Sequence, residues 1–170
     1  MPGALEIRRL AAGDVENYRE IRLAALQGAP EAFSSTFEIE AARPLSAFAE
    51  RLESSIVLAA SREGRIVGMA GLASQPGPKE RHRGFLWGIY VRPEVRGLGV
   101  AGLLLDAILT AAAERYEQIT LEVAADNLAA LALYEKFAFV RYGTAPRALK
   151  TADGYQDEIL MVKFLGGRRA

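Results

Sequence analysis

The 170 residues are 51% hydrophobic and 25% charged, a composition that suits one globular domain with a sizeable core. Lys and Arg number 21 and so do Asp and Glu, so the zero net charge gives no basis for non-specific binding to nucleic acid or an anionic membrane. The lack of cysteine excludes disulfides, thiolate metal sites and a cysteine nucleophile, and it fits a reducing compartment.

No stretch reads as a signal peptide, because residues 1–12 include Glu6, Arg8 and Arg9. The apolar runs fall well short of the roughly 20 residues that a membrane span needs. A soluble, cytoplasmic protein is the expectation. Leu5 to Leu10 reads as a short strand, and Asp14 as the cap of a helix ending near Gly28, whose mostly apolar face is Val15, Tyr18, Ile21, Arg22 and Leu26. Residues 30–52 read as further helix broken at Arg43-Pro44, since proline disfavours helical geometry in the residue before it. Phe33, Phe37 and Phe48 are assigned to the core, and Ser34, Ser35, Glu38 and Glu40 are candidates for a pocket rim.

Residues 56–60, 65–73 and 85–91 read as strands of an antiparallel meander, the first two joined at Glu63-Gly64. The single histidine, His82, lies among Lys79, Glu80, Arg81 and Arg83 and reads as a solvated loop residue, so no metal site is expected. Next comes a glycine-rich turn, Arg96-Gly97-Leu98-Gly99-Val100-Ala101-Gly102, between the strand ending at Val91 and an apolar helix over 100–115. A helix start leaves its first amides without partners and carries partial positive charge, while glycines let a ligand approach the backbone. With the planar cation of Arg96, this is a cradle for a diphosphate. The alternative is a turn that needs only positive φ angles.

Gln118 to Val123 reads as a strand, Asn127 to Phe137 as a helix, and 140–149 with 158–164 as a closing hairpin turning at Asp153-Gly154. The result is an α/β chain with a mixed sheet of about seven strands and one parallel crossover at the glycine turn. It is read as a single domain over 1–165 with a basic tail at 166–170. Gly97, Gly99 and Gly102 also satisfy G-x-G-x-x-G, with Glu122 near the place of a ribose-binding acid, which is the pattern of a dinucleotide-binding oxidoreductase. Against that reading, Arg92 to Arg96 separate the strand from the first glycine, and repeated strand-helix units are too few.

The arrangement resembles the GNAT (GCN5-related) N-acetyltransferase family over nearly the whole chain. Arg96 to Ala101 follows the family's acetyl-CoA signature of Gln or Arg, two residues, Gly, one residue, then Gly or Ala. Ile89-Tyr90-Val91-Arg92-Pro93-Glu94 before it, Leu103-Leu104 after it and Asn127-Leu128 through Tyr134-Glu135-Lys136-Phe137-Ala138-Phe139 match in order and spacing. The resemblance implies a mostly antiparallel sheet flanked by helices, with acetyl-CoA as cosubstrate and the parallel crossover at its site.

It also implies roles. The strand segment Ile89, Tyr90 and Val91 would bond the pantetheine arm through its backbone. Arg96 with the amides of the turn from Gly97 through Leu98, Gly99, Val100 and Ala101 to Gly102 would hold the pyrophosphate. Asn127 would hold the cofactor from the opposite wall or simply cap its helix. Tyr134 would aim its hydroxyl at the sulfur, as general acid or hydrogen-bond donor, or else serve as a core aromatic. The implied reaction is direct attack of a primary amine, of a small molecule or a peptide, on the thioester. Some relatives carry a glutamate on the strand before the turn, where this chain has Phe85, Leu86 and Trp87. Glu122 is a candidate base, yet none is assigned. Ala138 stands where the family usually has glycine, a costly choice at positive φ. The acceptor region would comprise 33–40 and 147–158, where Glu38, Glu40, Asp157 and Glu158 could attract an amine while Arg147 and Lys150 oppose it. A CoA-binding sensor or scaffold without turnover is the alternative function, and pairing of sheet edges into a homodimer is common in such folds.

Overall fold

A computed structural model describes residues 3–166; the expected tail falls mostly on 167–170, outside the described residues. Among the described residues, seven strands follow the order β1-β2-β3-β4-β5-β7-β6. They are β1 (Leu5–Arg9), β2 (Ser55–Arg62), β3 (Arg65–Ser74), β4 (Arg83–Val91), β5 (Gln118–Ala124), β6 (Val140–Thr151) and β7 (Gly154–Phe164). The helices are α1 (Val15–Gly28), α2 (Phe37–Ala41), α3 (Leu45–Ser54), α4 (Val100–Ala113) and α5 (Leu128–Lys136). The sheet is mixed and mostly antiparallel. Its parallel pair sets Arg83, Gly84 and Phe85 of β4 against Gln118, Ile119 and Thr120 of β5. A doubly wound dinucleotide fold would need several such pairs.

Contacts divide the chain into two compact units. The first takes the chain up to Ala73 and Trp87–Ala111; the second takes Ser74–Leu86 and the chain from Ala112 onward. In the first unit, β1 pairs with β2 and β2 with β3, both antiparallel. Glu63 and Gly64, at φ 53° and 78°, make the tight turn between β2 and β3 that Glu63-Gly64 predicts. The core draws Tyr18, Ile21, Ala25 and Leu26 from α1, Phe48 and Leu52 from α3, and Val57, Met69 and Tyr90 from the strands.

Two local expectations change in detail. Asp14 precedes α1 as its cap residue, but its side chain makes no cap hydrogen bond. The carboxylate instead accepts from the Ala11 amide and from both terminal nitrogens of Arg8, because a fixed bidentate cation is the stronger partner. Residues 30–54 form a short 3-10 turn, α2 and α3 rather than one helix broken once. The additional break is at Phe33, which is extended, after which the Thr36 hydroxyl caps α2 by accepting from the Ile39 amide at 3.4 Å.

In the second unit, β7 pairs antiparallel with both β5 and β6. Leu86, Ile119, Leu121, Leu131, Phe139 and Met161 are buried. The edge strand β6 is mostly exposed, and its register with β7 shifts between Ala145 and Leu149, where Arg147 sits at φ 51°. The Arg147 amide there donates to Asp157 Oδ1 at 2.7 Å.

Candidate functional site

In the first unit, β4 ends at Val91 and a short 3-10 turn, Pro93–Val95, leads into the glycine segment. Arg92, not singled out from sequence, anchors this exit. Its amide donates to the Val67 carbonyl at 2.8 Å, its Nε to the Ile66 carbonyl at 2.9 Å and its Nη2 to Glu20 at 2.8 Å. Val95 is buried beneath the turn, while Arg96, Gly97, Leu98 and Gly99 are exposed.

Gly97 and Gly99 have φ of 79° and 77°, and a Cβ at either would meet no atom within 4 Å. Their conformation favours glycine, and the space at their Cβ positions is open. The Leu103 amide bonds the Gly99 carbonyl at 3.1 Å, so the amides ahead of it are those that a helix start leaves without intrahelical acceptors. Gly68 on β3 sets the helix close to the sheet, since a Cβ there would lie 3.0 Å from Leu104 and 3.1 Å from the Tyr90 carbonyl. Arg96 folds back along β4, with Nε on the Val91 carbonyl at 3.0 Å and the guanidinium 5.9 Å from the Tyr90 ring centre. Thus the exposed turn of Arg96, Gly97, Leu98 and Gly99 lies between Ile89, Tyr90 and Val91 of β4 and the start of α4 at 100–102, with Tyr90 and Val100 buried. The donor set and open glycine backbone fit a diphosphate.

In the second unit, Asn127 and Tyr134 share α5. Asn127 is the N-cap, its Oδ1 accepting from the Ala130 amide at 3.2 Å. Tyr134 is buried, and burial pushes its phenol up to about 12, so the hydroxyl remains a proton donor throughout the neutral range. Its ring meets Phe139 edge-on at 5.7 Å. Ala138 does adopt positive φ, 65°, and closes α5. The Phe139 amide donates to the Tyr134 carbonyl and the Ala138 amide to that of Glu135, both at 3.0 Å, which is a Schellman closure built on alanine.

Glu122 is exposed on β5, between buried Leu121 and Val123. It pairs across the ladder with Leu160, and Ala124 pairs with Glu158, so the two glutamates are diagonal neighbours on one face. Burial, then the charge and hydrogen bond of Glu122, push the Glu158 carboxyl up. His82 is exposed, and no group of three or more His, Asp or Glu is placed to hold a metal among the described residues.

One assignment from sequence needs correction. Glu40 is not a rim residue but 1% exposed, held by Arg22 and Arg51. Arg22 on an otherwise apolar helix face was the signal for it: a cation there calls for a buried partner.

A family model described as Acetyltransferase (GNAT) family matches residues 18–139. The chain belongs to the GNAT acetyltransferases. No curated protein matches it. Among solved structures, this GNAT chain is similar to the ribosomal-protein-alanine N-acetyltransferase of Brucella melitensis, at 26% identity and TM-score 0.81, covering 94% of this chain and 99% of that one. A GNAT-family acetyltransferase from Streptococcus pneumoniae is 23% identical with TM-score 0.82, covering 96% and 100%. The yncA protein of Salmonella typhimurium, in a structure with its cofactor acetyl-CoA, is 19% identical with TM-score 0.81, covering 98% and 97%. No helix among the described residues of the GNAT chain is long and apolar enough to cross a membrane.

Proposed function

We propose that the chain is an N-acetyltransferase that uses acetyl-CoA as cosubstrate and acetylates a primary amine of a small molecule or peptide by direct attack in a ternary complex. The observation that carries this reading is the glycine turn: two residues held at positive φ, with open space at their Cβ positions, at the start of α4. Acetyl-CoA supplies an activated acyl group and a diphosphate. The amides of 98–102 and the Arg96 cation hold that diphosphate, and the backbone of Ile89 to Val91 aligns the arm. Asn127 starts the α5 helix that carries Tyr134, and Tyr134 delivers a proton or hydrogen bond to the departing sulfur. The chain has no cysteine, which supports transfer without a cysteine-bound acyl intermediate.

The incoming ammonium must lose a proton before attack. We assign that role to Glu122, which is exposed on β5 with Glu158 as its diagonal neighbour across the ladder. The second reading, a CoA sensor without turnover, draws on Phe85, Leu86 and Trp87 occupying β4 where some relatives have a glutamate.

Calorimetric titration with acetyl-CoA, CoA and NAD tests the cofactor assignment, and thiol release from acetyl-CoA with an amine panel tests turnover. Binding of both CoA species but not NAD, followed by amine-dependent thiol release, is the expected result. Binding without release selects the sensor. No binding of either CoA species removes both readings.

A further inference from the structure

The first unit buries a charged cluster that the cofactor site does not use. Arg22, on α1, gives Nε and Nη2 to the two Glu40 oxygens at 3.2 and 2.8 Å. Arg51, on α3, gives Nη1 to Glu40 Oε2 at 3.1 Å and to the Tyr18 hydroxyl at 3.3 Å. Two arginines therefore share one carboxylate, with Arg22 almost wholly buried and Arg51 partly open to water. Burial pushes the Glu40 carboxyl up, but the two arginines override it and hold it at about 2, so protonation does not alter this balance near neutral pH. Arg22 Nη1 is buried and makes no hydrogen bond. A buried polar atom without a partner is costly and calls for a water, an ion or a ligand.

The surroundings favour a flat organic anion. Arg22 lies 4.8 Å from the Phe33 ring centre and 5.2 Å from that of Trp87, and Arg51 lies 5.9 Å from Trp87. A carboxylate can align with the planar guanidinium edge between such rings and cancels the one excess charge. The cluster also has a position. Trp87 is on β4, two residues before Ile89, where the acyl arm is proposed to begin.

We infer that Arg22 and Arg51 form the receptor for a carboxylate on the acceptor, so that the amine acetylated belongs to an amino-acid-like molecule. The inference rests on the transferase reading. Arg51, its side chain 22% exposed against 7% for Arg22, is the outer member and meets the anion first. Arg22 Nη1, the unpartnered donor, supplies the second contact.

Three matched pairs test this: L-phenylalanine with 2-phenylethylamine, L-methionine with 3-(methylthio)propylamine, and L-leucine with 3-methylbutylamine. Thiol release and calorimetric binding with CoA present are read for each. The carboxylate member is expected to lead by tenfold or more in kcat/KM, through KM. Arg51→Gln should erase that lead with acetyl-CoA affinity unchanged, and Arg51→Lys should restore part of it. Equal handling of the pairs, or neither binding nor turnover of any carboxylate member by a protein that binds acetyl-CoA, overturns the inference and leaves the transferase reading in place. A lower melting temperature in Arg51→Gln with the preference intact makes the cluster a structural brace and also overturns it. Failure to bind acetyl-CoA removes the transferase reading, and this inference with it.

Discussion

Tyr134 and Ala138 show how one residue's backbone decides another's chemistry. The Tyr134 carbonyl is bonded by Phe139 and its ring packs on Phe139, so the residue is fixed from both sides by a closure that passes through an alanine at φ 65°. Alanine in that conformation costs on the order of 1 kcal/mol relative to glycine. Ala138→Gly should therefore raise the melting temperature by about 2–4 °C in calorimetry. Tyr134→Phe should lower kcat by about 100-fold, the range of a lost general acid, with little change in acetyl-CoA affinity; equal loss of both would remove the general-acid role. Glu122→Gln should be most damaging near neutral pH, again by about 100-fold, and should recover towards alkaline pH as the amine loses its proton unaided. A flat ratio of mutant to wild-type rates across pH would dismiss Glu122 as the base. Tyr134 is proposed from the family resemblance and Glu122 from the alternation of its strand. The sequence did not reveal Arg92, whose contacts run back to Ile66 and Glu20, far away in the chain.

At the scale of elements, the strand-turn-helix unit was the most legible part of the chain, because its torsions are written locally. Gly97 and Gly99 announce positive φ, and the buried positions Val100, Leu104, Leu105 and Ile108 announce one helix face. The 30–54 segment was less legible. Its breaks depend on where Phe33 finds the core and on Thr36 capping a five-residue helix, both decided by packing against α1. Likewise, pairing Glu40 with two arginines needs three helices in place at once. Packing also sets a prediction for β3. A Cβ at Gly71 would fall within the Trp87 ring, so Gly71→Ala should destabilise the fold by about 1–3 kcal/mol, the usual cost of overpacking, measured as a lower denaturant midpoint at unchanged m.

For the molecule as a whole, acid stability follows from its carboxylates. Hydrogen bonds from Arg8 and the Ala11 amide hold the Asp14 carboxyl at about 2, and Glu40 is held there against its burial by Arg22 and Arg51. Unfolding returns both to about 4. Folded-state pKa values below the unfolded ones mean that this contribution is complete above pH 4 and lost as pH falls through 2. The Glu158 carboxyl, pushed up, has the opposite sign and trims stability as pH rises through its folded value. Melting temperature should thus fall most steeply between pH 4 and 2, and Glu40→Gln should shallow that fall while lowering stability at pH 7.

The shifted register of β6 has a consequence for solubility. An edge strand of this length offers unpaired amides and carbonyls on which other chains could add, as in fibrils. Arg147, in the left-handed conformation and giving its amide to Asp157, cuts that template into two short runs and places a cation at the break. The bulge thereby acts as a guard against templated aggregation at a sequence pI of 6.6, where net charge provides little mutual repulsion between copies.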